Sequence, residues 1–421
     1  LAWLIVIGCS NAGELSPRLV CQLGAAWSLP FAIGPPLISK DIYSYVAQGL
    51  MLRSGHDVYR SGVSVLSSVH TSSAAHALAA VDPTWRHVPS PYGPLASALE
   101  RVSVVISGGN PLGAVLVLRA VAVLCVVAIA YLASTMAAPH RAHGLVLVAL
   151  NPLVLIHLVS ANHLEALMGA LILTSLVAAN RGQWSWAIVS ACAAGEVKAP
   201  AFATLAVLVV VHAGHGTRRR PAWLRSVGRI VLTDLVVATV TCLALTALVP
   251  DGFGWVRNLS TPGLSRTAAS LSSAAGSILS SVLPATAGDA SVAACRTGGL
   301  AVAAAIVLYL VMTARSRPTE ASVGFSLLTL AFLGPVFYPW YVLWGALCLL
   351  PTAAPPRRDW LVALCSVSSV AAITGVPRAI GVGMTIAAAM IAGSTLIVRT
   401  ARRRETAVPA GQTPGSSHLI M

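Results

Sequence analysis

Residues 111–135 read PLGAVLVLRAVAVLCVVAIAYLAST, a run of 25 residues that is apolar almost throughout. A bilayer core needs about 20 such residues in a helix, so this stretch reads as a membrane span. Working outward, further apolar runs fall at 1–9, 19–38, 144–160, 163–180, 183–197, 200–213, 230–250, 296–314, 322–337, 340–351, 360–374 and 379–398. Segments 183–197, 200–213 and 340–351 are short for a crossing, and 93–107, with Glu100 and Arg101, has the amphipathic pattern of a surface-lying helix. The opening Leu-Ala-Trp-Leu-Ile-Val-Ile-Gly reads as the end of a membrane helix whose start precedes this sequence.

Composition agrees. Of 421 residues, 56% are hydrophobic and only 10% charged, and the mean hydropathy is +0.80. A soluble domain carries about 25% charge, so a soluble enzyme and a disordered chain are both excluded. The fold class expected is an all-α polytopic membrane protein, with residues 1–398 as a single transmembrane domain and 399–421 as a basic, disordered cytoplasmic tail. The net charge of +14 is spread over short loops carrying Arg141, Arg181, Arg218–Arg220, Arg315, Arg317, Arg357, Arg358 and Arg402–Arg404. All fall on one side if every run crosses, and the positive-inside rule makes that side cytoplasmic. A spread charge with no compact basic fold argues against nucleic acid as a partner. The eight cysteines form no CxxC pair and read as packing residues.

Two long loops then face outward, about 39–110 and 251–295. Polar groups at the membrane are costly and mark function. Asp41, in Ser-Lys-Asp-Ile-Tyr-Ser-Tyr after the break at Pro35-Pro36, is placed to accept a proton from a hydroxyl beside a lipid-borne substrate. Tyr43 and Tyr45 suit a sugar ring. The same residues also read as an interfacial anchor, with Lys40 snorkelling and Asp41 capping a helix. The proline-stiffened stretch 82–94 contains Arg86 and Tyr92 and suits either phosphate presentation or a structural plug. His163 and Glu165 are two apart, on different helix faces, and converge only in a turn. Lys198 suits a phosphate or an ion pair with Glu196. Tyr338, Trp340 and Tyr341 form an aromatic belt or a carbohydrate platform. There is no P-loop, GxGxxG or HExxH motif, and no DxD-like pair of the kind a nucleotide-sugar site needs.

The stretches 35–49 (PPLISKDIYSYVAQG), 91–94 (PYGP), 151–158 (NPLVLIHL), 163–168 (HLEALM), 197–200 (VKAP) and 339–341 (PWY) together resemble the actinobacterial polyprenol-phosphate-mannose-dependent α-(1→6)-mannosyltransferases of the MptA/MptB type. The resemblance implies a GT-C fold with about 12–13 transmembrane helices and a large first extracytoplasmic loop. It implies an inverting transfer of mannose from polyprenyl-phosphate-mannose to an α-(1→6)-mannan on a lipid anchor, in lipomannan and lipoarabinomannan synthesis, at the outer face of the plasma membrane. Asp41 matches the family's catalytic aspartate and is expected to be the base. Lys198, with Arg86, Arg257 and His163, is expected to hold donor phosphate. Tyr43, Tyr45, Glu165, Tyr92, Tyr338, Trp340 and Tyr341 are expected to meet acceptor or sugar. No metal or other cofactor is expected. Leu164 stands where the family usually carries Asn. The alternatives are transfer of another polyprenyl-phosphate sugar, or a lipid-sugar flippase or transporter without chemistry.

Overall fold

The computed structural model describes residues 2–11, 15–215, 222–264, 270–282 and 288–374. The span expected at 379–398 and the tail at 399–421 lie outside the described residues. Within them the chain is helical, with no strand.

Helix α1 is Ala2–Asn11 and α2 is Pro17–Ile33, opened by Ser16, whose hydroxyl accepts from Leu19 N at 3.3 Å. Pro35 and Pro36 follow Gly34 and keep the chain non-helical up to α3, Asp41–Arg53. The first long loop is therefore largely helical. It contains α3, α4 (Ser72–Ala80) and α5 (Pro94–Ile106), with α4 and α5 packed on α3. The expected amphipathic segment is α5, and Pro94 fixes its first turn. Residues 82–93 are non-helical apart from one short turn at Pro83–Trp85.

Helix α6, Pro111–Met136, realises the quoted run, opened by Asn110 accepting from Gly113 N at 3.1 Å. The span expected at 144–160 is instead two pieces. Helix α7, Arg141–Ala149, and a wide π-type turn, Val154–Ser160, are bent by 67°. The cause lies between them. Pro152 offers no N–H, and the Asn151 side chain accepts from Leu153 N at 2.9 Å.

The chain continues through α8 (Glu165–Asn180), α9 (Trp184–Gly195), α10 (Phe202–Ala213), α11 (Ala222–Thr246), α12 (Leu271–Val282), α13 (Gly288–Met312), α14 (Thr319–Leu333), α15 (Val342–Leu349) and α16 (Pro355–Thr374). The second long loop thus includes α12 and the start of α13. One apolar core runs from Trp3 to Cys365, and a smaller one joins Ile188, Cys192, Leu208 and Ala238.

Among the described residues, helix α6, Arg225–Thr246 of α11, and α13 are long and apolar enough to cross a membrane, and α7 with the Val154–Ser160 turn passes as one bent span. The three long helices turn large apolar side chains outward, among them Leu124, Val127 and Tyr131 of α6, Leu232 and Val240 of α11, and Leu308 and Met312 of α13. Such bands need a lipid surround. The described residues are those of an all-α membrane protein.

Candidate functional site

Three chain breaks converge. The first is the non-helical stretch 34–40 before α3. The second is the Ser160–Leu164 junction before α8. The third is the 196–201 turn between α9 and α10, where Pro200 interrupts the helix. The loop at 91–94 closes the group. Gly93 N donates to Val197 O and Leu95 N to Glu196 O, both at 3.1 Å. A Cβ at Gly93 would strike the Glu196 backbone, so only glycine lets this loop dock and bring Tyr92 over Lys198.

Asp41 sits at the rim, with its side chain 24% exposed, and its Oδ2 lies 3.5 Å from His163 Nε2. Burial pushes its carboxyl up to about 6, with Glu165 adding to the rise and the Ser39 hydrogen bond and Lys198 opposing it. A carboxylate tuned to that range is suited to proton transfer near neutral pH. Lys198 Nζ lies 2.5 Å from Glu165 Oε1 and over the rings of Tyr341 (4.4 Å), Trp344 (5.1 Å) and Tyr92 (5.7 Å). Burial alone would lower the Lys198 ammonium, but Glu165, Tyr92 and Asp41 hold it above its usual range, so it is charged. The pairing with Glu196 considered from sequence does not occur; Glu165 takes that place.

His163 and Glu165 split the two partners between them. The turn that carries them lets His163 face Asp41 while Glu165 faces Lys198. Ile38 (φ 70°) and Asn162 (φ 59°) flank the site in left-handed backbone, a strain of about 1–3 kcal/mol each that persists only where the surroundings impose it.

The aromatic residues fall into two groups. Tyr45 and Tyr92 are edge to face at 5.5 Å, with their hydroxyls 3.4 Å apart, beside Asp41 and Lys198. Trp340 stacks on His163 at 4.1 Å and on Tyr338 at 4.5 Å. Two rings at those separations do not fit on one face, so both faces of the indole are covered and Trp340 is a packing partner of His163 rather than an open platform. Tyr341 stacks on Trp344 at 4.1 Å. Tyr43 lines a separate cavity of about 390 Å³ with Ile33, Pro36, Leu112 and Arg119.

The two other arginines are engaged elsewhere. Arg86 donates to Val81 O and Ala79 O, both at 3.1 Å, clasping its own loop. Arg257 pairs with Asp251 at 2.5 Å in an exposed position. Trp344, which the sequence groups with the Tyr338–Tyr341 aromatics, instead donates its Nε1 to Glu165 Oε1 at 3.4 Å; sequence reasoning missed His157, which stacks with His163 at 5.3 Å. It also missed Arg119, although this is the sole charged residue in the opening run. Among the described residues no three His, Cys, Asp or Glu side chains gather as a metal site.

The family described as alpha-(1->6)-mannopyranosyltransferase, N-terminal domain, matches residues 1–214, and the MptB C-terminal domain matches residues 267–404. Alpha-(1->6)-mannopyranosyltransferase B of Corynebacterium glutamicum is 27% identical over 372 residues, covering 83% of this chain and 61% of that protein. Alpha-(1->6)-mannopyranosyltransferase A of Mycobacterium tuberculosis is 31% identical over 267 residues, covering 62% of this chain and 50% of that protein. A probable alpha-(1->6)-mannopyranosyltransferase of Mycolicibacterium smegmatis is 28% identical over 404 residues, covering 85% of this chain and 69% of that protein. The chain thus spans between half and about two thirds of these relatives' length. No solved structure matches it.

Proposed function

Because the chain belongs to the alpha-(1->6)-mannopyranosyltransferase family, we propose that it transfers mannose from polyprenyl-phosphate-mannose to an α-(1→6)-mannan on a lipid anchor, with inversion at the anomeric carbon. The observation that carries this reading is the rim carboxyl of Asp41, its Oδ2 3.5 Å from His163 Nε2, with the enclosed Lys198–Glu165 pair in its electrostatic neighbourhood.

In the reaction, Asp41 takes the proton of the acceptor hydroxyl as its oxygen bonds to the anomeric carbon. The bond from that carbon to the phosphate oxygen breaks, and polyprenyl phosphate leaves with the electron pair. Lys198 has three N–H donors, of which Glu165 takes one. We assign the remaining donors to the leaving phosphate, whose charge grows in the transition state, with the Tyr341, Trp344 and Tyr92 rings walling the ammonium. His163 lies against Asp41; the half-buried Tyr92 offers its hydroxyl to the sugar, with Tyr45, 1% exposed, packed behind it. We propose that the transfer proceeds without a metal or other cofactor. We place the site on the outer face of the plasma membrane, in a GT-C arrangement where the shorter helices cross as bundle members, and the product in lipomannan and lipoarabinomannan synthesis.

The test supplies membranes containing the full-length protein with polyprenyl-phosphate-mannose and a mannan acceptor. New α-(1→6) linkages are expected, with none from nucleotide-linked mannose, and Asp41→Asn abolishes them. Donor movement without a new glycosidic bond, or full transfer by a folded Asp41→Asn variant, overturns the reading.

A further inference from the structure

We infer that Arg119 is a positioning residue that sets Asp41 against His163 by tying two breaks in the chain to one membrane helix; this rests on the transfer reading above. Arg119 lies in α6 and is only 6% exposed. Its guanidinium spans the gap between two separate segments. Nη1 donates to Ala32 O at 3.2 Å and to Gly34 O, and Nη2 donates to Ser160 O at 3.0 Å. A second link joins the same segments directly, since Leu37 N donates to Ser160 Oγ at 3.1 Å.

The place of these anchors in the chain gives them their consequence. Gly34 is seven residues before Asp41, and Ser160 is three before His163. Each anchored segment then passes through one left-handed, non-glycine residue before reaching the site, Ile38 on one side and Asn162 on the other. Such backbone is held by its surroundings, and the guanidinium supplies part of that hold at both. Pro35-Pro36 and the wide turn at Val154–Ser160 leave main-chain carbonyls without helical partners, and a planar, multi-donor cation answers several at once. A lysine has one compact nitrogen and does not bridge Ala32, Gly34 and Ser160 together. Arg119 does not touch Asp41 or His163; it fixes where each is carried.

The test uses the full chain in lipid nanodiscs with Arg119→Met, Arg119→Lys and Ser160→Ala. Hydrogen–deuterium exchange is followed in residues 34–41 and 158–163, with α8 and α9 as internal references. Transfer is measured as kcat and donor KM across pH 5–8. In Arg119→Met, exchange is expected to rise in both segments and not in the references. Its kcat falls about 100-fold, the scale of a 1 Å misplacement, at little-changed donor KM. The acid limb of the profile moves below pH 6 as Asp41 opens to water. Arg119→Lys recovers part of the rate. Should Arg119→Met fail to fold, Arg119→Lys, which keeps the charge but cannot bridge Ala32, Gly34 and Ser160 together, carries the same test with a smaller change in the same direction, and Ser160→Ala reports the Leu37 link alone. Unchanged exchange in either segment, or a rate loss uniform across pH with exchange raised throughout the chain, overturns the inference. A parent protein that transfers no mannose overturns the transfer reading instead, while the exchange data still decide whether Arg119 anchors both segments.

Discussion

His163 Nε2 stands 3.5 Å from Asp41 Oδ2, and the two reach each other from separate breaks in the helical chain, one before α3 and one before α8. A carboxyl so placed is partly stripped of water, and that stripping is the main reason its titration rises to about 6.

The first prediction is a pH dependence with opposite signs for activity and stability. A general base works when deprotonated, so transfer falls as pH drops through about 6, and the acid limb vanishes in Asp41→Asn along with activity. For stability the folded carboxyl titrates above its ordinary 3.8. Its contribution is fully present below about 3.8 and is lost as pH rises through about 6. Asp41→Asn is therefore expected to raise the melting temperature at pH 8 and to leave it unchanged at pH 3.5. A lower melting point at pH 8 contradicts this assignment.

The second prediction separates charge pairing from chemistry at Lys198. Lys198→Met strands Glu165, which is 2% exposed, at a cost on the order of 3–5 kcal/mol. The double variant Lys198→Met/Glu165→Gln removes both charges and is expected to restore most of the melting temperature without restoring transfer. Activity returning together with stability shows that Lys198 only neutralises Glu165.

Much of this site was legible in the chain. Asp41, Lys198, His163 and Glu165 were identifiable because a carboxyl, an amine or an imidazole next to apolar runs demands a partner. What spacing did not reveal was who pairs with whom. His163 and Glu165, two apart, lie on different helix faces and converge only in a turn, and the turn after the bent α7 segment sends them to different partners. The bend has a local cause at Asn151-Pro152 that continuous apolar character concealed. Trp340 was legible as aromatic but not as covered, since coverage by His163 and Tyr338 is a long-range fact. Arg86, in its proline-stiffened loop, and Arg257 carry charge that suits a phosphate, but loop carbonyls and Asp251 satisfy them locally.

The third prediction concerns Glu100, fully buried in α5 against α3. With the Gln48 carboxamide turned so that its nitrogen faces the carboxyl, it donates to Glu100 at 3.2 and 3.3 Å and to Ser90 Oγ at 3.0 Å. Burial pushes its carboxyl well above the usual range, so its ionisation opposes folding increasingly as pH rises above about 4.5. Glu100→Gln is expected to raise the melting temperature by a few degrees, roughly the effect of 1 kcal/mol, with a gain larger at pH 8 than at pH 5. A loss at pH 8 assigns Glu100 a charged partner.

The last prediction lies in the smaller core. Asp234 of α11 is 2% exposed, and its two oxygens lie 3.0 and 2.9 Å from His212 Nδ1 of α10. The His212 ring in turn stacks on Trp184 of α9 at 4.2 Å. Three neighbouring helices are thus joined through one imidazole, in a part of the chain with no contact to Asp41. Asp234→Leu leaves the imidazole nitrogen with an empty partner position, at a cost of about 1–3 kcal/mol. Adding His212→Leu replaces both polar groups with apolar ones, and a well-packed apolar pair is near neutral where a broken polar pair is not. The melting temperature in detergent is expected to fall for Asp234→Leu and to recover for the double variant, with transfer per folded molecule unchanged in both. A folded double variant with reduced transfer gives the pair a part in the reaction and overturns its purely structural role.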